Sequence, residues 1–301
     1  MTAQQPLALD DAAGFGAPLT IAPVARRKRP QSTGRWVLAA LLSIAALGCV
    51  LPFLLMVSFS FGTQAEFIKL PPPLLPSAFR LDNYKQVFDV VPMLRFVWNS
   101  LFVTAIVVLG QLVICSMAAY AFARLRFPGR NQLFALFLVS LMVPAQLTIV
   151  PLFVLMRPLG LIDSPWALII PSLMNVFGVF LLRQNFAAIP REIEEAAVLD
   201  GAGYLRIYWS LILPMSRPAL AALGILAFNA TWNSFLWPLI VINSPDNMTL
   251  PLGISFLFGQ NGATAEGVIM AGVTLSVIPP LLVFLLLQKR LVDGVAMTAG
   301  K

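Results

Sequence analysis

The chain has 301 residues, of which 59% are hydrophobic and 11% are charged, whereas an ordinary soluble domain has about 45–50% apolar and about 25% charged residues. This composition excludes an ordinary water-soluble globule. The net charge of +7 does not point to a nucleic-acid partner, because the basic residues stand beside apolar segments, where membrane topology and anionic lipid headgroups account for them.

The first predicted element is a disordered cytoplasmic tail over residues 1–33. This segment is rich in Ala, Pro, Gly and Gln and carries few large apolar side chains before a basic cluster. Such a composition cannot bury enough apolar surface to offset the entropy of ordering the chain.

Six windows without any charged residue or His follow the tail, each of 18 to 27 residues. About 20 helical residues cross the hydrocarbon core of a bilayer, and backbone within that core must satisfy its own hydrogen bonds. Each window is therefore predicted to be a transmembrane helix, in an all-α polytopic membrane protein whose six-span domain covers residues 34–301. The predicted spans are Trp36–Phe61, Phe96–Phe122, Gln132–Met156, Pro165–Leu182, Ala219–Val241 and Gly267–Gln288.

The positions of Lys and Arg predict the orientation of these spans, because both residues collect in short cytoplasmic loops. With the N-terminus inside, 15 of the 20 Lys and Arg residues lie on the cytoplasmic side. We therefore expect both termini in the cytoplasm, and residues 62–95, 157–164 and 242–266 outside.

The chain lacks the residues that several classes of enzyme and carrier need. The sequence has no His and no Walker A phosphate loop, so neither imidazole chemistry nor ATP hydrolysis by that loop is expected. No ionisable group lies within the six windows, which argues against a proton-driven carrier. A sodium site built from carbonyls and neutral side chains would escape this test, so an ATP-independent carrier or channel stays open as the rival. We predict no catalytic residue and no metal ligand.

The cytoplasmic segment 183–218 is expected to be a coupling loop with helices of its own. The stretch Ile189–Gly201 opens with a Pro, places acidic residues in its first turns and closes on a Gly, as helices do. A second helical run, Tyr204–Leu213, ends at Pro214. The spacing of Ile193, Ala196 and Ala197 puts these small and apolar residues on one face.

This face indicates a docking surface. Alanines allow close approach of a partner, and the flanking carboxylates can pair with its basic residues. The alternative is an amphipathic helix on the lipid surface. Such helices usually carry Lys and Arg on their polar face, whereas four acidic residues balance four basic ones in this loop.

At these residues the sequence resembles the membrane subunits of ATP-binding-cassette importers. Their signature reads Glu-Ala-Ala, three residues, Gly, nine residues, Ile, one residue, Leu-Pro. The chain has Glu195-Ala196-Ala197, Gly201, Leu211 in place of Ile, and Leu213-Pro214.

The stretches 120–130, 178–184 and 232–239 also resemble the six-span, maltose-type permeases of the sugar-importing branch. The tail after Gln288 is similar too, although its spacing departs from the usual ending.

The resemblance implies the type I permease fold of such importers, in a bacterial inner membrane. It implies a second permease subunit, two ATPase subunits that bind ATP and Mg²⁺, and an extracytoplasmic solute-binding protein, with membrane lipid around the spans. It also implies that Glu195 pairs with a basic residue of the ATPase and that Gly201 turns the chain. The expected ATPase-coupling residues are Glu194, Glu195, Ala196, Ala197, Asp200, Gly201, Leu213 and Pro214.

A path for a polar solute should present neutral polar or aromatic side chains to the bundle interior. The candidates are Asn175, Asn229, Trp232 and Asn233. Asn residues in spans also form hydrogen bonds to neighbouring helices, so this structural role remains an alternative.

The outer segment Thr249–Phe258 is apolar but too short to cross a bilayer. It is expected either to contact a partner, as the resemblance implies, or to cap the membrane interface. Taken together, we expect a permease subunit, itself not an enzyme, of an importer for a carbohydrate or a related solute such as a glycerol phosphodiester.

Overall fold

The computed structural model describes residues 33–67, 69, 73–259 and 265–299, and the side chains up to Leu286. The predicted disordered tail lies outside the described residues, apart from Thr33, which begins the first helix. The side chains of the C-terminal tail also lie outside them. Regular structure in the described part is helical throughout. The first eight helices are α1 (Thr33–Ser60), α2 (Gln64–Phe67), α3 (Asp82–Val90), α4 (Met93–Arg124), α5 (Arg130–Val139), α6 (Ala145–Met156), α7 (Pro165–Ser172) and α8 (Val176–Ala188).

The segment 183–218 and the last spans supply the remaining helices. These are α9 (Arg191–Leu199), α10 (Tyr204–Ile207), α11 (Leu213–Met215), α12 (Arg217–Trp232), α13 (Leu236–Val241), α14 (Leu250–Gly259) and α15 (Glu266–Ala299). Short 3₁₀ turns cover Ser140–Met142 and Pro245–Asn247, and a π-helical turn covers Tyr208–Ile212.

Four stretches of helix are long and apolar enough to cross a membrane, and two bent helix pairs bring the number to six if each pair is one span. The long stretches are Trp36–Ser60, Met93–Arg124, Pro165–Ala188 and Glu266–Leu286. The protein is therefore an all-α polytopic membrane protein, as the charge-free windows predicted.

The third predicted span is not a straight helix. Residues Arg130–Met142 and Ala145–Met156 meet at an angle of 102°. The cause lies at Pro144, because a proline disfavours helical backbone in the residue before it. Val143 is extended, with φ −83° and ψ 117°. Composition alone did not show this bend.

The fifth predicted span, 219–241, is also interrupted. Helix α12 ends at Trp232, and α13 begins only at Leu236. At its other end, α12 is bent by 78° from the segment Tyr204–Met215. Pro218, which lacks a backbone N–H, lies next to this bend at the start of α12.

Helix α4 is the central element of the bundle and packs against α7, α8, α12 and α14. Two groups of buried side chains surround it. One group includes Phe96, Trp232 and Leu250. The other includes Tyr120, Phe186 and other residues near the end of the bundle that carries α9.

The outer segment Thr249–Phe258 differs most from its sequence-based interpretation. It forms α14, and Leu250, Leu252 and Leu257 are almost completely buried in the bundle. A Cβ atom on Gly253 would lie 2.1 Å from the ring of Phe96, so only glycine permits this close packing. Most of the segment is therefore part of the core, and its exposed large side chains are Phe256 and Phe258.

At the end of the bundle opposite α9, the carboxylate of Asp163 joins the loop between α6 and α7 to the loop between α13 and α14. It accepts hydrogen bonds from the backbone N–H groups of Asn243 and Ser244, both at 2.9 Å, and from the Ser244 hydroxyl. Burial favours a raised pKa, but these hydrogen bonds outweigh it and hold the pKa of Asp163 below its ordinary value. Asp163 has a φ of +60°, a conformation that this network holds in place.

Candidate functional site: the coupling loop and the polar cavity

Helix α9 carries the alanine-and-glutamate signature of the segment 183–218. Pro190 precedes its first residue, Arg191, and Glu192 and Glu194 lie in its first turn. Acidic residues at this position stabilise a helix by interacting with its positive end. The predicted helix is therefore present, with its end at Leu199.

A Schellman motif ends α9 at Gly201. The Ala202 N–H donates to the Ala197 carbonyl, and the Gly201 N–H donates to the Val198 carbonyl, both at 2.9 Å. Gly201 has a φ of +81°, in the left-handed region that this motif requires and that glycine adopts without steric cost. The turn at Gly201 is thus set by the backbone.

One face of α9 is attached to the chain's own bundle. Nε of Arg124, the last residue of α4, lies 2.9 Å from Oε1 of Glu194, close enough for an ion pair but out of line for a hydrogen bond. The same guanidinium donates to the carbonyls of Phe186 and Ile189 at the end of α8. Ala197 packs beside it against the buried residues of this end.

The opposite face of α9 is open. Glu195 and Ala196 are exposed, and Val198 and Leu199 are exposed to 55% and 88%. This exposed strip, Glu195, Ala196, Val198 and Leu199, combines a carboxylate with small and apolar side chains. In a loop outside the apolar spans, such a surface is suited to a protein partner.

The predicted coupling residues are therefore divided between two faces. Glu195 and Ala196 point away from the bundle, whereas Glu194 pairs with Arg124 and Ala197 packs inward. Sequence reasoning placed Ala196 and Ala197 together on one docking face, whereas in the structure Ala196 is exposed and Ala197 packs against the bundle. Glu194 is thus tied to the bundle by its ion pair and does not belong to the exposed part of α9.

The second half of the loop is built into the bundle. Ile212 is fully buried, and Tyr208 is 2% exposed, with its hydroxyl 2.7 Å from that of Ser116 on α4. Leu213 and Pro214 are half-buried beside them, and Asp200 is exposed at the end of α9. Leu213 and Pro214 therefore anchor the loop, and only part of the signature lies on the open surface.

A cavity of about 540 Å³ lies between α9, α10 and the end of α4. Glu194 and Glu195 contribute carboxylates to its wall, Arg124 and Arg126 contribute guanidinium groups, and Leu199 and Tyr204 contribute apolar surface. The cavity can receive a side chain of a partner next to the exposed strip.

A second cavity, of about 340 Å³, lies within the bundle and is referred to below as the polar cavity. No charged residue lines it in the part of the chain that the structure describes. Its polar lining consists of Gln111, Ser172, Asn175, Thr231, Ser234 and Thr249, together with the indole of Trp237.

Of the four predicted path residues, Asn175 lines the polar cavity. Its Oδ1 caps α8 by accepting the Gly178 N–H at 2.9 Å. Trp232 does not line it, because its ring is buried against Phe228 and its Nε1 donates to the Ser276 carbonyl. The predicted path role of Trp232 is therefore replaced by a packing role.

The other two predicted residues, Asn229 and Asn233, are exposed one helical turn apart. Nδ2 of Asn233 donates to Oδ1 and to the backbone carbonyl of Asn229, both at 2.9 Å. Asn229 lies on α12 and Asn233 directly follows that helix. Thr231 of α12 lines the polar cavity, but the two Asn residues are not part of its wall.

Sequence reasoning missed Gln111, the residue of the cavity that lies near the middle of the 32-residue helix α4. Its Nε2 donates to the Ser172 carbonyl at 2.7 Å. The signal was present, because a buried amide in the middle of an apolar window requires partners.

Comparison with known proteins agrees with this architecture. Residues 111–297 match the family described as binding-protein-dependent transport system inner membrane component. The chain is 33% identical to the arabinooligosaccharides transport system permease protein AraQ of Halalkalibacterium halodurans, over 88% of this chain and 96% of that protein. It is also 33% identical to the sn-glycerol-3-phosphate transport system permease protein UgpE of Brucella melitensis, over 78% and 86%.

Among solved structures, a bacterial ABC transporter involved in the import of the acidic polysaccharide alginate has a similar chain. The two superpose with a TM-score of 0.76 at 27% sequence identity, covering 85% of this chain and 95% of that one.

Proposed function

This chain belongs to the family of binding-protein-dependent transport system inner membrane components, and from that premise we propose that it is the permease subunit of a carbohydrate importer driven by separate ATPase subunits. The observation that carries the proposal is the division of α9 into an attached face and an open one. Such a helix can receive force from a docked partner and pass it to α4 and α8.

The exposed strip is the proposed contact with the ATPase. Glu195 would pair with a basic residue of that subunit, where a charge-assisted hydrogen bond is strong. Ala196 would allow the two backbones to approach, and Leu199 would bury its apolar side chain. Gly201 and Asp200 would hold the turn that ends the docking helix.

ATP and Mg²⁺ are assigned to the ATPase subunits, because this sequence has no Walker A loop. The permease itself carries out no chemical step in this proposal. Alternating access follows from closure of the ATPase pair, which moves the α9 end of the bundle. Two such ATPases and an extracytoplasmic solute-binding protein complete the machine.

A second permease subunit is the proposed partner within the membrane. Helices α5 and α6 present apolar side chains on the outer surface of the bundle. Among them are Leu136, Leu147 and Val150, each at least 68% exposed. These helices form a bent pair rather than a straight span. Either lipid or a second subunit can cover such a surface. A path for a polar solute must be closed off from lipid, so the proposal requires a second subunit.

Membrane lipid is a further proposed partner at the α9 end. Arg126, Arg130 and Arg191 line an open cavity of about 460 Å³ beside the start of α5. Basic clusters next to spans attract anionic headgroups. This placement supports an inner-membrane orientation with α9 and both termini in the cytoplasm.

Reconstitution into liposomes tests the proposed function. We expect no solute flux from the chain alone, and ATP-dependent uptake when the second permease, the ATPases and the binding protein are present. Saturable flux of a carbohydrate through the chain alone, without ATP, would favour the ATP-independent carrier instead.

A further inference from the structure

Two residues that line the polar cavity each have a buried polar atom without a hydrogen-bond partner. Gln111 is 5% exposed and Thr249 is 6% exposed, and neither Oε1 of Gln111 nor Oγ1 of Thr249 has a partner in the described structure. Leaving such a group unpaired is costly, and native proteins contain few of them. Both residues line one cavity, and a ligand bound there would supply the missing partners.

The structural contacts of these residues do not account for the two atoms. The Ser172 carbonyl can only accept a hydrogen bond, so it fixes the Gln111 amide with Nε2 toward it and leaves Oε1 as a free acceptor. Thr249 Oγ1 makes no internal bond at all. A purely structural role therefore explains one atom of Gln111 and no side-chain polar atom of Thr249.

The lining of the cavity selects the chemical class of the ligand. Gln111 Oε1 requires a donor, Asn175 Nδ2 can donate, and the hydroxyls of Thr249, Thr231 and Ser234 can do both. A saccharide hydroxyl donates and accepts, so it matches this set. An anionic phosphate or carboxylate would lie here without a positive partner from the described chain, at a large desolvation cost.

The aromatic side chain of the cavity supports the same class. Nε1 of Trp237 donates to the Ala167 carbonyl at 2.9 Å, which fixes the indole in the wall. An indole face carries negative potential, and it attracts the C–H face of a sugar ring. The wall thus offers hydrogen-bonding groups and one apolar platform, as in small-molecule sites generally.

We propose that Gln111 and Thr249, with Asn175 and Trp237, form a subsite for a neutral saccharide within this chain. The proposal rests on the proposed importer function and narrows its substrate class to uncharged sugars. It also assigns direct solute contacts to this permease subunit in addition to any made by its partner.

Equilibrium binding to the complete permease–ATPase complex in nanodiscs, without binding protein or ATP, tests this subsite. The probes are radiolabelled arabinotriose and lactose as neutral saccharides, and sn-glycerol 3-phosphate and an alginate trisaccharide as anions. We expect saturable binding of a neutral probe and none of the anions. Thr249→Val should weaken that binding about tenfold, as expected for the loss of one hydrogen bond.

Control variants separate a loss of binding from a loss of folding. Thr249→Val removes an unpaired hydroxyl without changing the shape of the side chain, so its melting temperature should be at least that of the wild type. Thr274→Val is the matched control, because the Thr274 hydroxyl bonds the Met270 carbonyl on α15, away from the cavity. Gln111→Met is the second variant and should also weaken binding.

The subsite is overturned if no neutral probe binds, if an anion binds in its place, or if Thr249→Val and Gln111→Met bind the neutral probe as the wild type does. Because this assay uses no ATP, it stays separate from the proposed coupling to the ATPase. Loss of ATP-driven uptake with binding intact would be a failure of coupling alone.

Discussion

Nε of Arg124 lies 2.9 Å from Oε1 of Glu194, and this ion pair joins the end of α4 to helix α9. The two side chains are only 4% and 18% exposed. Since Arg124 also donates to carbonyls at the end of α8, one guanidinium connects three helices. In the proposed function, a force applied to α9 would enter the bundle through this residue.

Replacing Arg124 by Met should destabilise this connection. Removing one partner of a buried ion pair costs about 3–5 kcal/mol, and here Glu194 and the carbonyls of Phe186 and Ile189 would lose their partner. We expect a lower melting temperature of the purified protein and faster proteolysis within α9. Arg126→Met is the control, since exposed Arg126 forms no ion pair within the described residues. Equal losses in both variants would count against the connection.

Gly201→Ala should impair the turn after α9, whereas Gly203→Ala should not. Open space surrounds both positions, but Gly201 has a φ of +81° and Gly203 a φ of −76°. A side chain in the left-handed region costs roughly 1–2 kcal/mol. ATP-driven uptake and the melting temperature measure the difference, and identical behaviour of the two variants would show that the turn is not required.

Gly253→Ala should destabilise the packing of α14 against α4. The added Cβ would lie 2.1 Å from the ring of Phe96, and overpacking of this kind costs about 1–3 kcal/mol. Gly48→Ala is the control, because a Cβ there meets no atom within 4 Å. Thermal denaturation in detergent should show a lower midpoint for Gly253→Ala alone. An unchanged midpoint would mean that α14 is not packed in this way.

Glu66 should make the segment around Ser77 sensitive to acid. Hydrogen bonds from the Ser77 side chain and from the backbone of Thr63 and Ser77 lower the pKa of Glu66 to about 2. A lowered pKa stabilises the folded state above the ordinary value of 4.5, and this contribution is lost as the pH falls from 4.5 towards 2.

The melting temperature measured against pH for wild type and Glu66→Gln checks this expectation. The wild type should be more stable by a constant margin from pH 7 to 5, and the margin should shrink below pH 4.5. Asp89→Asn, at an exposed carboxylate, should show no such margin. A margin that does not change with pH would exclude the carboxylate as its source.

The sequence predicted the membrane-spanning architecture because hydrocarbon requires long charge-free helices, and the described structure contains them. It did not predict the bends, because the absence of charged residues from a segment says nothing about its backbone conformation. Pro144 was visible in the third window, and the restriction that it places on Val143 could have located the first bend.

The candidate site was predicted only in part. The signature Glu195–Gly201 located helix α9. The sequence alone did not show which face of this nine-residue helix packs against the bundle, because tertiary contacts fix that orientation. The contact that fixes it is Arg124 with Glu194, which is separated by 70 residues and has no local pattern. Gln111 and Thr249 line one cavity for the same reason, because only the packed bundle brings their helices side by side.

The most direct test of the coupling account is co-isolation of the partner ATPase with affinity-tagged permease from membranes that contain all subunits. The wild type and the Asp89→Lys control should retain the ATPase in equal amounts. Glu195→Lys should insert into the membrane normally yet lose the ATPase and ATP-driven uptake, because it reverses the charge of the exposed strip. Full retention of the ATPase by Glu195→Lys, with normal uptake, would contradict the account.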